Sequence, residues 1–322
     1  MIVIFADSTD VHADAVEKDA RSRGSEIGRL NRDETHRWDF DFLCGEPILN
    51  LDGRVFTADK IRSVFVRGLP DKQSFAQLSI NASSEVHDYV ATQRLGLIND
   101  CIALLSERTR VINTLCSLHR AQSKASQLFV ADKIGLRTPQ TYSGANPTLA
   151  RQHVNQIVQA GSRVCTKPIA KAILMLDGQK HTRFTEILDE SDFADLETLN
   201  ECPLTIQNYI EKSYELRVTV VGDRVFACKI DSQEAGNDTA IDWRRYNIPR
   251  TPHSRYELPR DLHEMLLLFH SHFGLTVSSF DIIRSRQGNF VFLETNPYSQ
   301  WLWIEDLTGL QITAAITEEL LQ

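Results

Sequence analysis

The sequence predicts an α/β unit at the N-terminus followed by α+β units, and three observations predict that class. Short apolar runs alternate with helical patterns over roughly the first 110 residues, which is the signature of a wound α/β sheet. The C-terminal third reads instead as hairpin, helix, hairpin and helix. The chain has 322 residues, which is room for two or three subdomains with a large buried core.

The elements follow in order. Ile2–Ala6 is a short buried strand. Asp10 can cap a helix that runs to about Arg23 and is ended by Gly24, since a carboxylate accepts from free N–H groups and glycine tolerates the left-handed turn. Leu51-Asp52-Gly53-Arg54 marks a hairpin turn between Ile48–Leu51 and Val55–Phe56. Ser63–Arg67 is a strand, Ser83 to Ser106 a long helix and Val111–Asn113 a short strand. Ser117–Ile134 reads as one helix closed by Gly135, and Thr138-Pro139 opens a strand. Pro147 starts a helix ending near Gly161; Val164–Lys167, Ala172–Leu176 and Leu204–Ile210 are strands. Leu216–Val221 and Arg224–Ile230 flank the turn Gly222-Asp223. Leu258–Phe273 is a helix, Val277–Arg284 and Asn289–Glu294 flank Gln287-Gly288, and Gly309–Leu321 closes the pattern. Gly236–Pro252, rich in Gly, Asn, Asp and Pro, is expected to be a mobile loop.

Composition narrows the function. Apolar residues are 42% and charged residues 24%, and the formal net charge is −8. An acidic chain repels phosphate backbones, so nucleic acid is not the expected partner. No run is long and apolar enough to span a membrane, and Ile2–Phe5 turns polar at Asp7 too soon for a signal peptide. Cys44, Cys101, Cys116, Cys165, Cys202 and Cys228 lack metal or redox spacing and read as free thiols of a cytoplasmic protein. The turn Ala6–Asp10 has no G-x-G-x-x-G, and neither a P-loop nor a G-x-S-x-G elbow occurs. His263-Glu264 lacks a histidine at zincin spacing, although His270 and His272 follow on the same helix. Trp301, Trp303 and Phe292 read as core or pocket rim.

The strongest chemical signal is a carboxylate face. With a two-residue turn at Gln287-Gly288, Arg286 pairs with Asn289, and counting outward puts Asp281 opposite Glu294. Asn296, two residues on, shares that face. Opposed like charges destabilise a sheet unless a cation lies between them. Phe280, Ile282, Ile283, Val291, Phe292 and Leu293 bury the strands, so these acids need a partner rather than water. Two carboxylates and an amide oxygen are hard donors suited to Mg²⁺ shared with phosphate.

Phe292-Leu293-Glu294-Thr295-Asn296-Pro297 preceded by Asp281 resembles the ATP-grasp metal motif, and Gln207-Asn208-Tyr209-Ile210 before Glu215-Leu216-Arg217-Val218 resembles the ATP-grasp hinge. With Ile230-Asp231-Ser232-Gln233, Asp242-Trp243-Arg244 and Trp301-Leu302-Trp303, the chain is similar to the microviridin-type peptide ligases, glutathione-synthetase-like enzymes that macrocyclise ribosomal precursor peptides through side-chain esters and amides. The resemblance implies an ATP-grasp fold with a pre-ATP-grasp α/β domain at 1–112, a central lobe at 113–206 and a C-terminal lobe with the metal site at 207–322. It implies ATP and Mg²⁺ as cofactors, a precursor peptide of leader and core as partner, and a homodimer. Lys124 and Lys167 would hold ATP phosphates, Gln207, Asn208, Tyr209 and Ile210 the adenine, and Glu215 the ribose hydroxyls. Asp281, Glu294 and Asn296 would hold the metal. Arg217 and Arg244 would sit near the transferred phosphate and the acyl phosphate. Lys229 is a further catalytic candidate, although an ideal Gly222-Asp223 turn pairs it with Leu216, on the face opposite Arg217.

Two segments depart from the family pattern. Ile169–Asp177 lacks the glycines of a phosphate-covering loop, with only Gly178 following, and Pro297-Tyr298-Ser299-Gln300 stands where relatives more often carry glycine. Three other readings stay open: an ATP-grasp ligase joining amino acids to a small molecule or protein tail, a non-catalytic ATP-binding regulator, and a plain metal-binding or interaction protein.

Overall fold

The computed structural model describes residues 1–43, 46–68, 83–170, 173–176, 179–234, 241 and 251–322. Five sheets organise them. At the N-terminus, β1 (Ile2–Ala6), β2 (Ile27–Asn31), β6 (Ser63–Val66) and β7 (Arg110–Ile112) form a parallel sheet in the order β2-β1-β6-β7. A three-stranded antiparallel sheet, β3 (Trp38–Leu43), β4 (Glu46–Leu51) and β5 (Arg54–Thr57), is inserted before β6.

The parallel sheet is apolar on both faces, as a sheet covered on two sides must be. Ile2, Ile4, Ala6 and Phe65 pack under α1 (Val11–Ser22) and under a helix from the far end of the sequence, Ile312–Leu321. Val3, Phe5, Val64 and Val66 pack under α2 (Ser84–Ser106). Asp10 caps α1 by accepting from the N–H groups of His12 and Ala13. Asp52 and Gly53, both at positive φ, make the tight turn between β4 and β5.

The expected single helix over Ser117–Ile134 is two, α3 (Leu115–Gln122) and α4 (Lys124–Lys133). Ser123 is extended, ends the first and caps the second by accepting from the Ser126 N–H. Apolar periodicity runs through the break unaltered, because both helices present Ala121, Val130 and Ala131 to the same core.

The middle sheet has the order β12-β9-β13-β8, from β8 (Thr141–Gly144), β9 (Val164–Lys167), β12 (Glu186–Leu188) and β13 (Leu204–Asn208). One face packs Val164 and Ile206 on Ala150, Val154 and Ile157 of α5 (Pro147–Gln159). The hairpin of β10 (Ile173–Leu176) and β11 (Gln179–Thr182) stands apart from it.

The last sheet has the order β16-β15-β14-β17-β18, from β14 (Lys212–Val221), β15 (Arg224–Ile230), β16 (His253–Tyr256), β17 (Val277–Ser285) and β18 (Phe290–Asn296). Leu216, Val218, Val220, Phe280, Ile282 and Phe292 form its core face under α6 (Arg260–His272). The expected turn at Gly222-Asp223 is present, with Val221 paired to Arg224 and Leu216 to Lys229. Strands β2, β3, β12 and β16 and helix α7 (Leu302–Thr308) were not expected; α8 (Ile312–Leu321) completes the described chain.

The hairpin of β17 and β18 differs from the count made on sequence, yet the result is the same. Its loop has three residues, Arg286-Gln287-Gly288, because the Ser285 N–H donates to the Asn289 carbonyl at 2.8 Å. Ile282 therefore pairs with Phe292 and Arg284 with Phe290. A bulge then inserts Leu293, and Asp281 pairs with Glu294 after all. The extra loop residue and the bulge cancel.

Candidate active site

The non-core faces of the middle and last sheets look at each other across a cleft of about 860 Å³, counting its solvent-open part. The middle sheet contributes Cys165, Lys167 and Gln207, and the chain crosses to the last sheet through Asn208, Tyr209 and Ile210. The last sheet contributes Lys212, Glu215, Asp281, Ile283, Leu293 and Glu294, and Lys124 enters from α4. Nine of the sequence-chosen residues, namely Lys124, Lys167, Gln207, Asn208, Tyr209, Ile210, Glu215, Asp281 and Glu294, thus line one cavity.

The break at Ser123 puts Lys124 in the first turn of α4, aimed across the cleft rather than along an exposed helix. Its Nζ lies 3.2 Å from Glu294 Oε2. Arg217, on the cleft face of β14, donates to Asp281 Oδ1 at 2.8 Å, and Asn296 Nδ2 donates to Asp281 Oδ2 at 3.1 Å. The opposed acids are therefore each met by a cationic side chain. Lys167 makes no ion pair among the described residues. Three cations, Lys124, Lys167 and Arg217, thus face two carboxylates, Asp281 and Glu294, leaving one positive charge in excess at this end of the cleft. A polyphosphate carrying a divalent cation suits that balance.

Among the described residues no three His, Cys, Asp or Glu side chains gather as a metal site. The Asp281, Glu294 and Asn296 set offers two carboxylates and an amide, all with hard oxygen donors. Mg²⁺ needs no more than one or two protein carboxylates when phosphates and waters complete its shell, so these residues fit it.

The adenine-side candidates are fixed by neighbours. Gln207 is buried and donates to Thr141 Oγ1 at 2.9 Å. The Asn208 side chain accepts from the Gln140 N–H at 2.7 Å, so it ties the strand end rather than pointing at a ligand. Tyr209 lies under the Arg163 guanidinium, 4.4 Å from ring centroid to Cζ, and burial pushes its hydroxyl up to about 12. Burial also raises the Cys165 thiol, which stays protonated at neutral pH.

Sequence reasoning missed Lys212 and Ser232. Lys212 is 4% exposed and donates to Glu215 Oε1 and to the Ile241 carbonyl. Ser232 Oγ donates to the same Glu215 oxygen at 2.9 Å. Residues three apart on a regular strand point to opposite faces. An irregularity between Lys212 and Tyr214 brings Lys212 and Glu215 to the same side, and simple alternation carries no signal of it. Leu293 is the parallel case, since the bulge lets it and Glu294, consecutive residues, both line the cleft.

A second cavity of about 630 Å³ adjoins the carboxylates and is lined by Arg217, Asn296, Tyr298, Ser299, Gln300 and Trp303 together with Asp281 and Glu294. The glycine-free Pro297–Gln300 segment is its wall, and Ser299 takes positive φ there despite its side chain. Lys229 joins neither cavity. It lies on the opposite face from Arg217, paired to Asp231 at 2.6 Å and set over the Tyr214 ring. Arg244, with Asp242 and Trp243, lies outside the described residues, as do Gly178 and most of the expected loop at 236–252. No helix among the described residues is long and apolar enough to cross a membrane.

No protein-family model matches the chain, and no curated protein matches it. Solved structures do. The macrocyclase MdnC from Microcystis aeruginosa MRC, bound with precursor peptide MdnA, aligns with a TM-score of 0.85 at 24% identity over 100% of this chain and 99% of that one. A Chryseobacterium gregarium RiPP-associated ATP-grasp ligase, in complex with ADP and a leader and core peptide, gives 0.86 at 25% identity over 99% and 96%. The ATP-grasp ligase PsnB, complexed with a minimal precursor, Mg and ADP, gives 0.79 at 20% over 99% and 96%. The likeness spans essentially the whole of each chain, and the fold is the ATP-grasp fold.

Proposed function

We propose that this chain is an ATP- and Mg²⁺-dependent carboxylate ligase that macrocyclises a ribosomal precursor peptide through side-chain ester or amide bonds. The observation that carries this reading is the single cleft between two sheets that holds Lys124, Lys167, Gln207–Ile210, Glu215 and the opposed pair Asp281 and Glu294. A second cavity opens beside the same acids. That arrangement provides one place for a nucleotide and another for the groups to be joined. The solved structures similar to this chain include ligases bound to ADP and to precursor peptides.

In this reading residues 1–112 are the pre-ATP-grasp unit, 113–206 the central lobe and 207–322 the C-terminal lobe. Gln207–Ile210, which line the cleft where the chain crosses between the two sheets, take the adenine. Glu215 takes the ribose, its carboxylate held in place by Lys212 and Ser232. Lys124 and Lys167 hold the phosphates. Asp281, Glu294 and Asn296 hold Mg²⁺, which when bound neutralises phosphate charge and draws electron density from the phosphoryl group. A peptide carboxylate takes the γ-phosphoryl group and ADP leaves. The acceptor hydroxyl or amine then attacks the acyl carbon, loses its proton and displaces phosphate. Arg217 lines the second cavity and holds Asp281, which lines both, so its charge is near the site of both steps. Lys229 has no part in this scheme.

Glu294→Gln keeps the shape of the side chain and removes its charge. It should slow ADP release about a hundred- to a thousandfold, the scale of lost electrostatic stabilisation, while circular dichroism stays that of the parent. Unchanged turnover would overturn the metal assignment. Mass spectrometry of precursor-like peptides incubated with ATP and Mg²⁺ tests the chemistry itself. Loss of water per bond formed is expected, and ADP release without any peptide product would favour a nucleotide-binding regulator.

A further inference from the structure

The strand that carries Glu294 and Asn296, β18, is the edge of its sheet. An edge strand leaves a row of backbone groups without ladder partners. At Phe292 the gap is filled by main chain, its N–H donating to the Arg137 carbonyl at 2.8 Å. At Thr295 a side chain fills it. Gln127 Oε1 accepts from the Thr295 N–H at 2.9 Å, and Gln127 Nε2 donates to the Thr295 carbonyl at 3.0 Å. The same Nε2 donates to the Ala121 carbonyl at 2.6 Å. That carbonyl is available because the helix breaks at Ser123, which removes its partner one turn on. The amide thus uses both donors and its acceptor. Its orientation is fixed by the neighbours, since the flipped amide would set an oxygen against two carbonyls.

Gln127 is 2% exposed and lines neither cavity. On the far side of Asn296, Asn113 grips the main chain in the same way. Its Nδ2 donates to the carbonyls of Pro297 and Val277, and its Oδ1 accepts from the N–H groups of Thr276 and Val277. The main chain is therefore held by buried carboxamides at Thr295 before Asn296 and at Pro297 after it. One turn before Gln127 on the same helix, Lys124 meets the Glu294 side chain.

We infer that Gln127 is a positioning residue for the metal end of the site: by pinning both backbone groups of Thr295 it sets where Glu294 and Asn296 point. The inference rests on the reading that Asp281, Glu294 and Asn296 hold Mg²⁺. Gln127 does not touch the metal or the nucleotide. It acts through the backbone, in the way outer groups orient metal ligands.

The test is Mn²⁺ binding to the full chain with ADP present, followed by the electron paramagnetic resonance signal of free Mn²⁺. Gln127→Glu sets an acceptor against two carbonyls, and Gln127→Met fills the volume without a hydrogen bond. Each should weaken Mn²⁺ binding about 10- to 100-fold, the usual effect of losing an outer-shell partner, with unchanged far-ultraviolet circular dichroism. Leu266→Ala, a cavity in the core of α6, controls for lost stability and should bind Mn²⁺ like the parent. Parent-like Mn²⁺ affinity in both Gln127 variants overturns the inference and leaves the metal reading standing. Mn²⁺ binding that survives Glu294→Gln overturns the metal reading, and this inference with it. Should neither Gln127 variant fold, hydrogen exchange on the parent decides. The Thr295 amide should exchange as slowly as the sheet interior, and exchange at the rate of an open edge overturns the inference.

Discussion

Lys212 and Glu215 form an ion pair that is almost wholly out of water, at 4% and 6% exposure. Removing one partner of such a pair leaves the other charged in a poor solvent for charge. Lys212→Met should therefore cost about 3–5 kcal/mol in urea unfolding, and a cost under about 1 kcal/mol would mean that the pair behaves as a surface one. His270 is the other buried group with a readable consequence. Burial holds its pKa down to about 4 in the folded state, below the ordinary 6.5 of a solvated histidine. Between those values the unfolded chain binds a proton that folded His270 refuses. Stability is then full above pH 6.5 and falls as the pH drops toward 4, by an amount on the order of 3 kcal/mol. Urea midpoints at pH 7.5 and pH 5 should show the loss, and His270→Asn should flatten that part of the slope.

The elements show where local rules were sufficient and where they failed. Asp10 was legible as a helix cap because its chemistry is local, but its second task was not. Its Oδ2 also accepts from Arg67, a buried side chain that further donates to the carbonyls of Tyr298 and Ser299 and lies against the Trp301 ring. Asp10→Ala should therefore cost about 3–5 kcal/mol rather than the roughly 1 kcal/mol of a lost cap. Adding Arg67→Met should cost less than the sum of the single changes, measured as a double-mutant cycle in urea. The opposition of Asp281 and Glu294 was legible for a different reason. Twelve residues separate them, and a three-residue loop plus one bulged residue consumes the same number as a two-residue turn between regular strands. The break at Ser123 left no trace in periodicity because it serves contacts distant in sequence, with Glu294 and Thr295; the irregularity beside Lys212 serves a pair only three residues apart, but simple alternation does not encode it. The placement of Lys229 opposite Arg217 was legible from the turn alone, since its pairing with Leu216 follows from a two-residue loop.

At the scale of the whole molecule, the proposed nucleotide cleft is lined by two sheets from different parts of the chain. A nucleotide bound between them stabilises only the state in which both are folded. With ADP and Mg²⁺ at a hundred times the dissociation constant, the gain should be about 2.7 kcal/mol, seen as a rise in Tm. Lys167→Ala, which removes a cation facing the cleft, should shrink that rise at the same ligand concentration. The β-sheet of the N-terminal unit has a similar dependence on distant sequence. The face of β1 that carries Ile2 and Ile4 shares its core with Ile312, Ile316 and Leu320 of α8, and Ser63 and Arg62 donate to carbonyls at the end of that helix. A ribosome completes the sheet at Ile112 and does not begin its cover until Ile312, 200 residues later. For most of synthesis, then, one greasy side of the nascent α/β unit must wait, shielded by a chaperone or by non-native collapse, for the helix that seals it.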